Sequence, residues 1–380
     1  MRSFGKWHLK TQPQGFDTFR VLPGQGRYRN PLLKGPDNWV DGHAGGEPVE
    51  GFSSAVIADL SMEWLDQRDP DEPFMLMCHF KATHEPFDYP ERNAELYADV
   101  EMPEPASLYE FGPESSGRTF DGQPLEILGQ RYLNQQGASA GFTYPGGEFE
   151  LPEGISERER RSRIYQKFVK DFLRCGRAID DNIGRLLDYL DAHGLAENTV
   201  VIYTADQGYF MGEHGFFDKR IMYEEPLRMP FVVRYPREIP TGSGPDALVQ
   251  NIDFAPLLLD YAQEETPREM AGASFRKILR GETPDDWREA IYYRYWQHAP
   301  NRPAHYGIRT HTDKLIYFYG EALGMNGAVD EPTVPAWEYY DLATDPHELS
   351  NGYGNAANKN RIAELTGQLM ELKRSAGDLR

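Results

Sequence analysis

Residues 157–193 place Ile164, Phe168, Phe172, Ile179, Ile183, Leu186, Leu187 and Leu190 at helical spacing, so one long apolar stripe has to be buried against another element. The spacing predicts a helix that Gly194 is placed to end and Gly176 to interrupt. A β-rich run follows at 200–204 and stops at Ala205, Asp206, Gln207 and Gly208. A long helix feeding a hydrophobic strand is the repeating unit of an α/β chain. The same order occurs earlier: residues 54–68 set Val56, Ile57, Leu60, Trp64 and Leu65 on one helical face, with Ser53 or Ser54 as the cap, and the apolar run 74–80 reads as a buried parallel strand.

The rest of the chain is read against these two units. Residues 1–50 hold Gly, Pro, Asn and aromatics without a sustained period, which predicts irregular segments near a site and no core. Residues 85–156 are rich in Pro, Gly and Glu and read as a long excursion able to wall a cleft. Strand 231–234 and helix 252–262 follow, the helix tolerating Pro256 near its start. From Trp287 the sequence turns aromatic and β-like at 291–296 and 315–319, then helical at 360–375. The predicted organisation is a main domain over 1–285 and a small α+β subdomain over 286–380.

Charge and cysteine usage narrow the function. The 380 residues carry 60 Asp plus Glu against 40 Lys plus Arg, a net charge of −20, which excludes a general nucleic-acid or anionic-membrane surface while leaving room for a local basic pocket. Cys78 and Cys175 are too few for a disulfide scaffold or a cysteine-built zinc site. No run reaches the roughly 18 apolar residues of a transmembrane helix.

Five polar groupings are candidates for chemistry, and each also has a plain reading. In Gly5-Lys6-Trp7-His8 an extended backbone puts Lys6 and His8 on one side, able to face a single anion; alternatively they are a surface lysine and an ordinary histidine. Asp206 and Gln207 end a strand and offer oxygens to a hard cation, or form a polar turn. The run Gly212-Glu213-His214-Gly215-Phe216-Phe217-Asp218-Lys219-Arg220 offers cations for an anion, or a solvated patch. His84 follows the 74–80 strand, as a site residue or a satisfied loop histidine. His298, His305, Arg309, His311 and Lys314 could recognise a carboxylate or sulfate, or face water.

Taken in order, these groupings fit one template. The chain resembles the sulfatase family through Gly5-Lys6-Trp7-His8-Leu9, Gly15-Phe16-Asp17, the segment from Gly24 to Pro31, His84-Glu85-Pro86-Phe87, Thr204-Ala205-Asp206-Gln207-Gly208, Gly212-Glu213-His214-Gly215 with Asp218-Lys219-Arg220, and Tyr339-Tyr340-Asp341-Leu342 with Asp345-Pro346. The resemblance implies an α/β fold like that of alkaline phosphatase, with a large mixed β-sheet, helices on both faces and a small C-terminal α+β subdomain. It implies a sulfuric ester hydrolase that binds one divalent cation, usually Ca2+, and uses a formylglycine made from Cys or Ser by a formylglycine-generating enzyme. Carried over, Asp206 and Gln207 are metal ligands, and Lys6 and Lys219 hold the sulfate. His8 orients or deprotonates the formylglycine hydrate, and His84 is the acid at the leaving oxygen. His298, His305 and Arg309 are expected to contact a sulfated carbohydrate substrate, and family usage suggests a periplasmic or secreted location.

One departure is plain. The family's nucleophile motif, Cys or Ser, any residue, Pro, then Ser, Ala or Cys, then Arg, is absent: Cys78 precedes His79-Phe80-Lys81 and Cys175 precedes Gly176-Arg177-Ala178. The Asp-Asp pair that accompanies it in the family is missing too. The expectation is a chain lacking the family's N-terminal segment and inactive by itself. Two other readings stand beside a glycan sulfatase: a phosphate or phosphonate ester hydrolase of the same superfamily, and a non-catalytic protein that binds sulfated glycan.

Overall fold

The structure, a computed structural model, describes residues 1–109, 124–135 and 143–380. The chain divides into two compact units, Met1–Pro103 with Gly129–Ala196, and Glu104–Leu128 with Glu197–Arg380.

In the first unit, β1 (Arg2–Trp7) lies between β2 (Thr18–Pro23) and β5 (Leu76–His79), parallel to both; β3 (Leu32–Leu33) and β4 (Glu47–Pro48) make a short antiparallel ladder. The N-terminal residues are therefore core, against the irregular reading of 1–50. Ser3, Phe4 and Gly5 are all buried in succession, as in a parallel strand covered on both faces, and the segment shows no alternation for that reason. Phe4, Leu22, Leu33, Val56 and Ile57 form one apolar cluster, which seats α1 (Ser53–Gln67) on the sheet. Ser53 and Ser54 are not caps: both lie inside α1 and are buried, and the cap position is Phe52, without a side-chain bond.

Beyond β5, the unit holds α3 (Glu157–Ala192), 36 residues without a break at Gly176. Its Ser156 hydroxyl accepts the Glu159 N–H at 3.1 Å, with Glu157 and Glu159 in the first turn where carboxylates favour the helix dipole. Gly194 terminates it at φ +66°. Ile164, Phe168, Cys175, Ala178 and Ile179 line its buried face. The described part of the 85–156 excursion contains α2 (Leu125–Asn134); residues 110–123 and 136–142 of it lie outside the described residues.

In the second unit, β6 (Val201–Thr204) pairs antiparallel with β9 (Phe231–Arg234), and β7 (Phe210–Met211) with β8 (Phe217–Asp218). Short helices α4 (Glu224–Leu227), α5 (Phe254–Tyr261) and α6 (Arg276–Leu279) follow, with Pro256 buried in the first turn of α5. The antiparallel sheet β10 (Ala290–Tyr295), β11 (His305–Thr310), β12 (Asp313–Phe318) and β13 (Ala336–Asp341) runs in sequence order, and α7 (Lys359–Ser375) closes the chain. Ile316, Phe318 and Tyr340 pack with Phe210, Phe216, Met222 and Tyr223. Leu315, Tyr339 and Ile308 pack with Leu365 and Leu369 of α7. The sheet thus carries one apolar cluster shared with the 210–223 segment and another shared with α7, and it fixes the loop that bears Asp218 and Lys219.

Candidate active site

Gly5 sets the first unit's candidates. Its φ is +105°, and a Cβ there would lie 2.0 Å from the His79 carbonyl oxygen, so only glycine lets β1 run this close to β5. Lys6 follows at the carboxyl end of the strand, where parallel sheets present their sites. The neighbouring Lys81 is fully buried; burial and the Lys6 charge beside it push its ammonium down to about 7. His8 is exposed, with its Nδ1 3.5 Å from the Gln25 amide nitrogen and its ring 5.4 Å from that of His43.

His84 sits in the turn after β5. Its backbone N–H donates to Lys81 O at 3.1 Å, and its carbonyl accepts from Phe87 N–H at 3.2 Å and from the Tyr28 hydroxyl. Its Nδ1 lies 2.9 Å from the Glu85 carbonyl oxygen. A carbonyl oxygen only accepts, so Nδ1 carries a hydrogen and Nε2 is the atom at which the ring gains or loses its proton. The Glu85 carboxylate is in turn gripped by Arg131 Nη1, 3.0 Å from both oxygens, and by the Tyr144 hydroxyl.

In the second unit, Asp206 and Gln207 stand just past β6, Asp206 exposed. Gly208, fully enclosed, donates its N–H to Pro226 O at 2.9 Å and ties the loop to α4. The β7–β8 hairpin then brings the chain back: Phe210 is in register with Asp218, and Lys219 Nζ comes to 5.6 Å from the ring of Tyr209. Lys219 lies 3.5 Å from Asp218 Oδ1, while Arg220 Nε holds the other oxygen at 3.0 Å. His214 is not part of a solvated patch. It is buried at φ +55°, its N–H bonded to Ser107 Oγ at 3.1 Å, and burial with the Lys314 charge pushes its ring down to about 4.

Of three residues expected at the substrate, His298 and His305 are interior, and Arg309 is half-buried and committed to an ion pair. His298 has no exposed surface; it accepts from Ala304 N–H at 3.1 Å and bonds the Glu331 carbonyl at 2.8 Å. His305, equally buried, bonds Pro303 O at 2.9 Å and is pushed down to about 4 by burial. Arg309 forms a two-point pair with Glu224, whose carboxylate Lys314 also binds at 3.0 Å. Lys314 reaches Glu348 at 2.6 Å as well, so this cluster is a buried charge network holding α4.

Asp206 and Gln207 fit part of a divalent-cation shell. Among the described residues neither side chain is engaged in a hydrogen bond or ion pair, and both present hard oxygens. Ca2+ takes six to eight, and the described residues contain no group of three or more His, Cys, Asp or Glu able to hold a metal. No described helix is long and apolar enough to cross a membrane. Sequence reasoning passed over Lys81 and Arg131 and gave Tyr28, within the Gly24–Pro31 segment, no role; the available signal for Lys81 was a lone lysine directly after a continuous apolar run.

Comparison with known proteins identifies the family of the chain. The family model "Sulfatase" matches residues 2–264, and "N-sulphoglucosamine sulphohydrolase, C-terminal" matches 212–375. An N-acetylglucosamine-6-O-sulfatase of Bacteroides thetaiotaomicron is 36% identical over 98% of this chain and 70% of its own length. An arylsulfatase of Clostridium perfringens is 26% identical over 81% of this chain, which spans only 55% of that relative. A solved structure described as a complex with its substrate D-glucosamine-2-N,6-O-disulfate superimposes with a TM-score of 0.86 at 34% identity, covering 100% of this chain and 80% of that one.

Proposed function

Because the chain belongs to the sulfatase family, we propose that it serves the hydrolysis of a sulfate monoester on a sugar, with a 6-O-sulfated glucosamine or N-acetylglucosamine unit as the substrate class. The observation that carries this choice is the 36% identity, along nearly the whole chain, to a relative named for that reaction. A sulfate monoester leaves the enzyme two electrostatic tasks: charge on the sulfuryl oxygens and charge on the departing oxygen. Lys6 and Lys219 are the cations assigned to the first. His84, with its Nδ1 hydrogen committed to the Glu85 carbonyl, is assigned to protonate the leaving oxygen from Nε2. His8 is assigned to orient or deprotonate the nucleophile.

Asp206 and Gln207 would hold one Ca2+, with water or further ligands completing its shell. The cation would neutralise charge on the sulfuryl oxygens, and a formylglycine hydrate would supply the attacking hydroxyl. Neither cysteine of residues 1–380 suits conversion: both lack the motif, and Cys175 has no exposed surface. The formylglycine is therefore assigned to sequence outside these residues, with a formylglycine-generating enzyme as partner.

The test measures released sulfate from N-acetylglucosamine-6-sulfate, by residues 1–380 alone and by the same residues joined to a formylglycine-bearing segment. Turnover is expected only from the second, and it should vanish when the modified Cys or Ser becomes Ala. Equal turnover by the first sinks the mechanism. Faster cleavage of phosphonate monoesters would favour the other superfamily activity, and glycan binding without turnover a non-catalytic protein. His84→Ala should slow this poor leaving group far more than an activated aryl sulfate, which needs no proton.

A further inference from the structure

Tyr28 and Arg131 come from distant parts of the first unit and act on one turn, Lys81–Phe87, from two directions. The Tyr28 hydroxyl donates to the His84 carbonyl and accepts from the Cys175 thiol, whose sulfur is 3.4 Å away. The Tyr28 ring stacks on Phe52 at 5.7 Å and lies under the Lys81 ammonium at 4.5 Å. Its own carbonyl accepts the Ser53 N–H at 2.7 Å, so the ring is anchored to the start of α1. The next residue, Arg29, binds both oxygens of Asp88 at 3.0 Å and the Tyr89 carbonyl at 2.8 Å, strapping the same two segments together. From the other direction, Arg131 of α2 holds the Glu85 carboxylate. The Glu85 carbonyl is the group that fixes the hydrogen on His84 Nδ1.

We propose that Tyr28 and Arg131 are positioning residues whose joint grip on the His84–Glu85 peptide holds the His84 ring in its Nδ1–H tautomer, and so keeps Nε2 as the proton-exchanging atom. The proposal deepens the assignment of His84 above and rests on it for its catalytic meaning. Its structural content stands apart: a histidine ring facing water on a loosely held turn interconverts between tautomers, and each backbone hydrogen bond that fixes the turn biases the choice.

The experiment uses the full 1–380 chain with 15N-labelled histidine, following the two ring nitrogens of His84 by long-range 1H–15N correlation, with His84→Gln to assign the signal. Wild type is expected to show the Nδ1–H tautomer. Tyr28→Phe removes only the hydroxyl, and Arg131→Met only the guanidinium. Each should move the tautomer ratio about fivefold toward Nε2–H, the size of one lost neutral hydrogen bond. Arg131→Lys should recover part of the shift. The buried His298 and His305 signals report whether each variant keeps its fold; if Tyr28→Phe does not fold, Tyr144→Phe reads the Glu85 side alone. An Nε2–H tautomer in wild type, or a ratio unmoved in folded variants, overturns the proposal. A ratio that shifts as expected while His84→Ala treats good and poor leaving groups alike keeps the positioning and discards the acid role.

Discussion

The carbonyl oxygen of Glu225 occupies the place a side chain on Gly208 would need: a Cβ there would be 1.9 Å from it and 2.8 Å from the Arg228 carbonyl oxygen. Both obstacles are backbone, so neither can swing aside. The residue behind Asp206 and Gln207 is thus locked to α4 by steric necessity as well as by its hydrogen bond to Pro226.

Gly208→Ala should therefore destabilise the second unit by about 1–3 kcal/mol, the cost of forcing extra atoms into a filled site. Denaturant melts followed by tryptophan fluorescence check this; an unchanged midpoint would mean that the loop shifts without resistance.

Lys219→Ala is expected to separate stability from turnover. Its pair with Asp218 is partly exposed at 3.5 Å, so the melt should move by about 1 kcal/mol or less. Turnover of the formylglycine-bearing protein on a 6-sulfated sugar should fall on the order of 10²- to 10³-fold, as when a donor to developing charge is removed. Unchanged turnover would take Lys219 out of the site.

Thiol labelling should find the cysteines inert. Burial pushes the Cys175 thiol up to about 12 and raises that of Cys78, which lies 3.1 Å from the Ser61 hydroxyl. Reaction needs thiolate, so iodoacetamide at pH 8 is expected to leave native Cys175 unmodified and to label both free thiols after denaturation. Rapid labelling of native Cys175 would show that α3 opens around it.

His305 should weaken the protein in acid. Its folded pKa of about 4 lies below the unfolded value near 6.5, so the unfolded chain binds the extra proton. Stability is then complete above about pH 6.5 and is lost as pH falls towards 4, by on the order of 2–3 kcal/mol from this ring. His214 adds a loss of the same sign. His305→Asn should lower the melting temperature at pH 7 through lost packing against Phe318 and Tyr295, yet flatten the decline below pH 6.5. An acid limb as steep as that of wild type would place the titration elsewhere.

Glu225 should act in the opposite direction. Burial and the charges of Glu348 and Glu213 push its carboxyl up to about 8, and its Oε2 is buried without a hydrogen-bond partner. The folded state holds this proton where the unfolded chain has released it, so stability falls as pH rises from about 4.5 to 8. Glu225→Gln is expected to raise stability at pH 8, on the order of 4 kcal/mol, and to change it little near pH 5. A variant less stable at pH 8 would show that the carboxylate has a partner worth keeping.

The sequence announced its helices and strand ends more readily than its buried polar groups. Strand β9 at 231–234 and the body of α3 follow from apolar spacing, and the apolar run at 200–204 puts Asp206 and Gln207 just beyond a strand end, where β6 leaves them. Strand β1 escaped notice because burial on both faces erases alternation. The burial of His305 was hidden for the related reason that β11 is buried almost throughout, so polarity along it says nothing of exposure; His298, ahead of that strand, is enclosed by bonds to the backbone of Ala304 and Glu331. Arg131 was invisible, and Tyr28 entered only as part of the Gly24–Pro31 segment with no role of its own, because their importance lies in contacts 46 and 56 residues away.

The length of α3 has a kinetic corollary. At about 1.5 Å per residue, its 36 residues make a rod onto which separate loops are fastened: Asn93 bonds the Arg174 carbonyl at 2.9 Å, Arg174 bonds Leu96 O at 2.8 Å, and Cys175 meets Tyr28. All three attachments fall within two adjacent residues at mid-helix. The loops at 28 and 93–96 should then share one opening free energy with the middle turns of α3, and their amides exchange with deuterium as a single cooperative block. The frayed ends of the same helix exchange on their own schedule.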